Sequence, residues 1–257
     1  MPPEIVAIAE DVSISTERRT FKGWLLQPAA LATGTAVLVH GWGQDSVRMA
    51  GLATQIAAAG IAALLIDLPG HGRSGDVETY NAAVMVDDLR AARDWIGRRD
   101  DLRALPAGIV GFSFGGLGAY VAAARDSRWA ALVVIAAPEG AMAAARIYLD
   151  DKGIPSRWFD GLVRRWFIRT VGVDPAEFDA GRTLASIRIP AMIVHGENDE
   201  LVPVSHAERL YEFAPAALRS LVRVPGASHN AVLTHEAVCR GVASFLKASF
   251  AKVGEGA

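Results

Sequence analysis

The chain has 257 residues, 51% of them hydrophobic and 21% charged, which is enough apolar material for a large packed core and excludes a disordered or low-complexity protein. Its 26 Lys and Arg nearly balance 28 Asp and Glu, so nothing marks a dedicated nucleic-acid binder. One cysteine, Cys239, excludes an intrachain disulfide and a Cys-rich metal site. The opening MPPEIVAIAEDV has acids where a secretory signal needs a basic start, and the apolar stretches Ala57–Ile66 and Trp129–Pro138 are strand-sized. The expectation is a reduced, cytoplasmic protein with no stable membrane insertion.

In chain order, Ile5–Ile14 and Thr20–Leu26 read as two strands of an opening meander. Thr35–His40 is a continuous β-branched run ending in Gly-x-Gly, as in a strand buried on both faces. Val47–Ala59 has helical spacing and stops at Gly60; Ile61–Leu68 is a second buried strand, broken by Pro69-Gly70. Tyr80–Arg99 is an amphipathic helix, Ala107–Gly111 a strand, Gly115–Ala124 a small-residue helix and Ala130–Ala137 a strand. Ala191–Val194 and Ser220–Val224 are strands, with helices at Ser205–Phe213 and His235–Lys252. Apolar strands alternating with helices predict an α/β fold, a parallel sheet covered on both faces. Glu139–Arg188 is too long for an ordinary crossover, so the expected organisation is a core of residues 1–138 and 189–257 with an inserted cap at 139–188.

The chemistry concentrates at strand ends. Gly111-Phe112-Ser113-Phe114-Gly115 sits where a buried strand turns directly into a helix, a turn that projects a serine hydroxyl above the carboxyl edge of the sheet. Serine needs a base, and the base needs an orienting acid. His229, after the last strand, and Asp199, on the loop leaving Ala191–Val194, fall at the same edge in the chain order Ser, Asp, His. Glu139 and Glu197 are rival acids; His71, His195, His206 and His235 read as structural or solvated. The amides of Phe114 and of Trp42, in His40-Gly41-Trp42-Gly43, are the expected oxyanion-hole donors. Within the insertion, Trp158, Leu162 and Trp166 recur every four residues from Ser156 to Thr170, with Phe159, Val163 and Phe167 beside them and Arg157, Arg164 and Arg165 opposite. Trp158, Phe159, Trp166 and Phe167 are the expected lining of an acyl pocket, against a plain core-packing helix.

Together these pieces resemble the α/β-hydrolase superfamily of the serine-hydrolase type, close to its esterase, lipase and serine-aminopeptidase-like members. The matching segments are His40–Gly43, Asp67-Leu68-Pro69-Gly70-His71-Gly72-Arg73-Ser74, the turn at Gly111–Gly115, Asp199 in GENDELVP, and His229. The resemblance implies an eight-stranded, mostly parallel sheet, an acyl-enzyme mechanism and no cofactor, and gives Asp67 and His71 structural roles. The HGGG form of the oxyanion loop is absent. Serine at 113 argues against the dehalogenases and epoxide hydrolases that use a carboxylate nucleophile. The expected partner is a small-molecule acyl substrate, most simply a carboxylic ester, with oligomeric state left open.

Rival classes find less support. A dinucleotide fingerprint in Gly111–Gly118 would need glycine at 113, Cys239 lies in a helix without a base beside it, and His40, His71 and His195 lack metal-ligand spacing. A hydrolase fold used as a ligand receptor, and cofactor-free lyase or perhydrolase chemistry on the same three residues, stay open as alternatives.

Overall fold

The computed structural model describes residues 9–76, 81–156, 159–171 and 174–255. Eight strands, β1 (Ala9–Ser15), β2 (Thr20–Leu26), β3 (Thr35–Val39), β4 (Ala62–Ile66), β5 (Ala107–Phe112), β6 (Trp129–Ile135), β7 (Ala191–Gly196) and β8 (Arg219–Val224), form one sheet in the order β1-β2-β4-β3-β5-β6-β7-β8. Only β2 runs antiparallel to its neighbours. The helices are α1 (Ala50–Ala58), α2 (Ala82–Gly97), α3 (Phe114–Arg125), α4 (Ala141–Asp151), α5 (Asp160–Val171), α6 (Ala180–Thr183), α7 (Ser205–Phe213) and α8 (Glu236–Glu255). This is an α/β-hydrolase fold, as the motifs imply.

The central strands are apolar because both faces are covered. Along β3, Val37 and Val39 point into a core shared with α2 and α3, while Ala36 and Leu38 point into another shared with α1 and α8. Period-two alternation assigns each residue to one layer.

Several element limits differ from the sequence reading. The first strand starts at Ala9, and residues 5–8 of the predicted strand lie outside the described residues, as does Tyr80 at the start of the predicted second helix. The predicted helix Val47–Ala59 divides into a 3-10 turn, Ser46–Met49, and α1. Asp45 causes the early start, since its side chain caps the turn by accepting the Val47 N–H. The segment between β6 and β7 holds α4, which the sequence pattern does not place, before α5. Ser156 closes the loop between them by donating its N–H and hydroxyl to the Asp150 carboxylate.

Candidate active site

The site is built at the carboxyl ends of β5, β7 and β8, with the loop after β3 closing it. Ser113 is the one residue between β5 and α3, and it stands at φ 54°, ψ −122°, in the positive-φ region that side chains avoid. What holds it there is the close approach of strand and helix. A Cβ at Gly111 would collide with the backbone of Gly115 and Gly116, and one at Gly115 with the carbonyls of Val39 and His40. The Ser113 N–H donates to Ile135 O of β6 at 2.8 Å, fixing the turn to the next strand.

The structure brings Ser113, His229 and Asp199 into one hydrogen-bonded line. Ser113 Oγ lies 3.1 Å from His229 Nε2, and His229 Nδ1 lies 2.7 Å from Asp199 Oδ2. Because a carboxylate only accepts, Nδ1 carries the proton and Nε2 is left bare toward the serine hydroxyl. The imidazole packs on the Phe112 ring, centroids 4.9 Å apart.

Asp199 is buried and richly solvated by protein donors. Its Oδ1 accepts the N–H groups of Leu201 (3.0 Å) and Val202 (2.8 Å), while Oδ2 accepts from His229 and lies 3.2 Å from His195 Nε2. Burial pushes its pKa up, but the hydrogen bonds from His195, His229 and the Val202 N–H together outweigh this and hold the carboxyl well below its ordinary range. His195 is the residue the sequence reading left as merely structural. Its Nε2 faces both Asp199 and the Val202 carbonyl at 2.7 Å, so that nitrogen must carry the proton. Its position four residues before Asp199, at the end of a buried strand, was the available signal, since a fully buried imidazole requires a partner.

The rival acids are engaged elsewhere. Glu197 pairs with Arg223 (3.0 Å), and Glu139 pairs with Arg209 and lies 3.8 Å from His206. Cys239 is buried, its thiol donating to Leu233 O, and burial pushes the thiol pKa up.

The loop after β3 runs against the serine: a Cβ on Gly41 would lie 3.0 Å from Ser113 Cβ. Two imidazoles hold this loop. His40 Nε2 accepts the Leu68 N–H at 3.0 Å and Nδ1 donates to Gly41 O at 2.8 Å; His71 Nε2 accepts the Gly43 N–H at 3.1 Å. Burial lowers the His40 pKa to about 4, so the acceptor nitrogen stays unprotonated. The Trp42 ring sits edge-on to both Phe114 (5.3 Å) and His71 (5.5 Å). Phe114 opens α3, where the first N–H groups have no intrahelical acceptor. Asp67 is buried behind the loop, accepting from the N–H groups of Ser46 (2.7 Å) and Arg73 (3.2 Å).

The expected aromatic pocket needs correction. Phe167 is buried in the sheet-side core against Phe178, ring centroids 6.5 Å apart, while Trp166 is 60% and Phe159 39% exposed. Trp158 lies outside the described residues. The periodicity contains two sides of α5: Phe167 packs into the core, while Leu162 and Trp166 face outward. A cavity of about 480 Å³ does lie between the segment after β6 and the loop and helix after β7, its walls mixing charged side chains (Glu139, Arg146, Asp150, Glu200, His206 and Arg209) with apolar ones (Ala143, Ile147, Leu201 and Pro203). Among the described residues no group of three or more His, Cys, Asp or Glu is placed to hold a metal ion, and no helix is long and apolar enough to cross a membrane.

Residues 36–241 match the model of the alpha/beta hydrolase family, and the chain belongs to that family. It is 28% identical over 238 residues to a pimeloyl-[acyl-carrier protein] methyl ester esterase of Chromobacterium violaceum, covering 78% of this chain and 89% of that one. It is 26% identical over 231 residues to a monoacylglycerol lipase of Mycolicibacterium smegmatis, covering 77% and 81%. In solved structures, an esterase of Pyrococcus furiosus superposes with a TM-score of 0.74 at 22% identity, covering 96% of this chain and 92% of the other, which shows the shared fold. The chain is thus a hydrolase of this family, with esterases among its relatives.

Proposed function

We propose that the protein is a serine-dependent hydrolase that cleaves a carboxylic ester through an acyl-enzyme. Ser113 Oγ attacks the carbonyl carbon as its proton passes to His229 Nε2, and Asp199 holds His229 in the required tautomer and balances the imidazolium that forms. The amides of Trp42 and Phe114 receive the negative oxygen of the tetrahedral intermediate, each such donor contributing on the order of 3 kcal/mol in the transition state. The alcohol leaves with the proton from His229. Water, deprotonated by the same base, then frees the acid and restores the serine.

The observation that carries this reading is the line Asp199–His229–Ser113, with spacings of 2.7 and 3.1 Å, on a serine held at positive φ. Relatives named as esterase and lipase support ester over amide cleavage. The segment 139–188 is read as a cap, with the cavity beneath it beside the Asp199 loop. Hydrolysis of p-nitrophenyl esters of graded acyl length, alongside thioester and aminoacyl substrates, tests the reading. Ester turnover should exceed the other classes, and Ser113→Ala should lower kcat/KM by about 10⁴-fold or more. A variant that keeps most of its esterase activity would overturn the assignment.

A further inference from the structure

Among the described residues, thirteen large apolar side chains are exposed, and six of them, Tyr148, Ile154, Phe159, Leu162, Trp166 and Ile168, fall within 21 residues of the insertion. That concentration is not scatter, which is the normal state of exposed apolar residues. The sharpest part lies on α5. While Phe167 turns inward, Leu162, Arg165, Trp166 and Arg169 follow the spacing i, i+3, i+4, i+7 and so form one outward stripe, which places Arg165 beside Leu162 and Trp166 and not opposite them as the sequence pattern suggests. Leu162 is 65% and Trp166 60% exposed.

The charges on this helix separate cleanly. Asp160 pairs with Arg146, and Arg164 pairs with Asp174 at 2.6 Å. Arg165 and Arg169 are exposed and have no acidic partner among the described residues. The stripe therefore presents an aliphatic group, an indole and two uncompensated guanidinium groups to one side.

We propose that this face of α5 docks reversibly on an anionic lipid surface, with Leu162 and Trp166 entering the headgroup boundary and Arg165 and Arg169 contacting lipid phosphates. Indole and long cationic side chains are suited to such an interface, where the apolar body is buried and the polar end stays wet. A second copy of this chain is disfavoured as occupant. A two-fold contact between two α5 stripes would place like charges together with no carboxylate on the stripe to answer them. The docking is adsorption only: a twelve-residue helix is about 18 Å long, short of the roughly 30 Å apolar layer.

The test is sedimentation of the full chain with vesicles of phosphatidylcholine alone or containing about one-third phosphatidylglycerol. Binding should be at least about tenfold tighter to the anionic vesicles at low salt and should collapse near 0.5 M salt. Arg165→Glu with Arg169→Glu should abolish the lipid preference, and Leu162→Ser with Trp166→Ser should weaken binding to both vesicle types. Far-UV circular dichroism should be unchanged in both, since all four side chains are exposed. Absence of binding by the unaltered chain at low salt would overturn the proposal, whatever the variants do. So would a dimer in sedimentation equilibrium that Leu162→Ser with Trp166→Ser dissociates, because the stripe would then join copies. No turnover is needed, so failure here leaves the role of Ser113 untouched.

Discussion

Asp199 accepts from four donors, and each removes a share of its negative charge from His229. Replacing Asp199 by Asn should keep the fold but lower kcat by about 10³–10⁴-fold by favouring the wrong imidazole tautomer. Glu139→Gln, whose carboxylate is committed to Arg209, should not do so; steady-state kinetics of both variants checks the assignment. His195 acts through Asp199 and is a positioning residue. In His195→Phe the Asp199 carboxylate loses one of the donors that aim it at His229 Nδ1, so kcat should fall by about tenfold with KM little changed. A drop in thermal stability with unchanged kcat would make His195 only structural. Ser113, Asp199 and His229 were legible because each sits at a strand end in a small-residue loop. His195 was not, because its partner is decided by which way a buried ring turns, which spacing does not encode.

At the scale of elements, the turn from β5 to α3 depends on what cannot be added to it. A methyl group at Gly115 would meet the carbonyls of Val39 and His40, which belong to the rigid centre of the sheet and cannot yield as a flexible side chain would. Gly115→Ala should cost about 2–4 kcal/mol in urea unfolding and should also disable the serine, since relief requires moving the turn. Retained activity with unchanged stability would show that the turn has more freedom than its contacts imply. Element type was readable wherever a buried strand gave an unbroken apolar run, as at Thr35–Val39. The insertion was harder. Its Ala-rich α4 carries weak apolar contrast, and the aromatic pair Trp166-Phe167 of α5 looks like one broad face until the fold shows that Phe167 turns in and Trp166 out.

Over the whole molecule, a buried histidine makes the fold sensitive to acid. Burial holds His40 near a pKa of about 4, against 6.5 when unfolded. Between pH 6.5 and 4 the unfolded chain binds a proton that the folded chain refuses, so stability must fall as pH falls through that window. His40 contributes about 3 kcal/mol to the change. Urea unfolding at pH 7 and pH 4 measures it, and His40→Asn should flatten the dependence; a chain equally stable at both pH values would contradict the buried neutral assignment.

The central claim is that one hydroxyl among all those in the chain is activated, and a fluorophosphonate reports on that directly. Intact mass should show a single adduct formed within minutes, peptide mapping should place it on Ser113, and Ser113→Ala and His229→Ala should both abolish it. Labelling at another residue, or unchanged labelling after Ser113→Ala, would contradict the account.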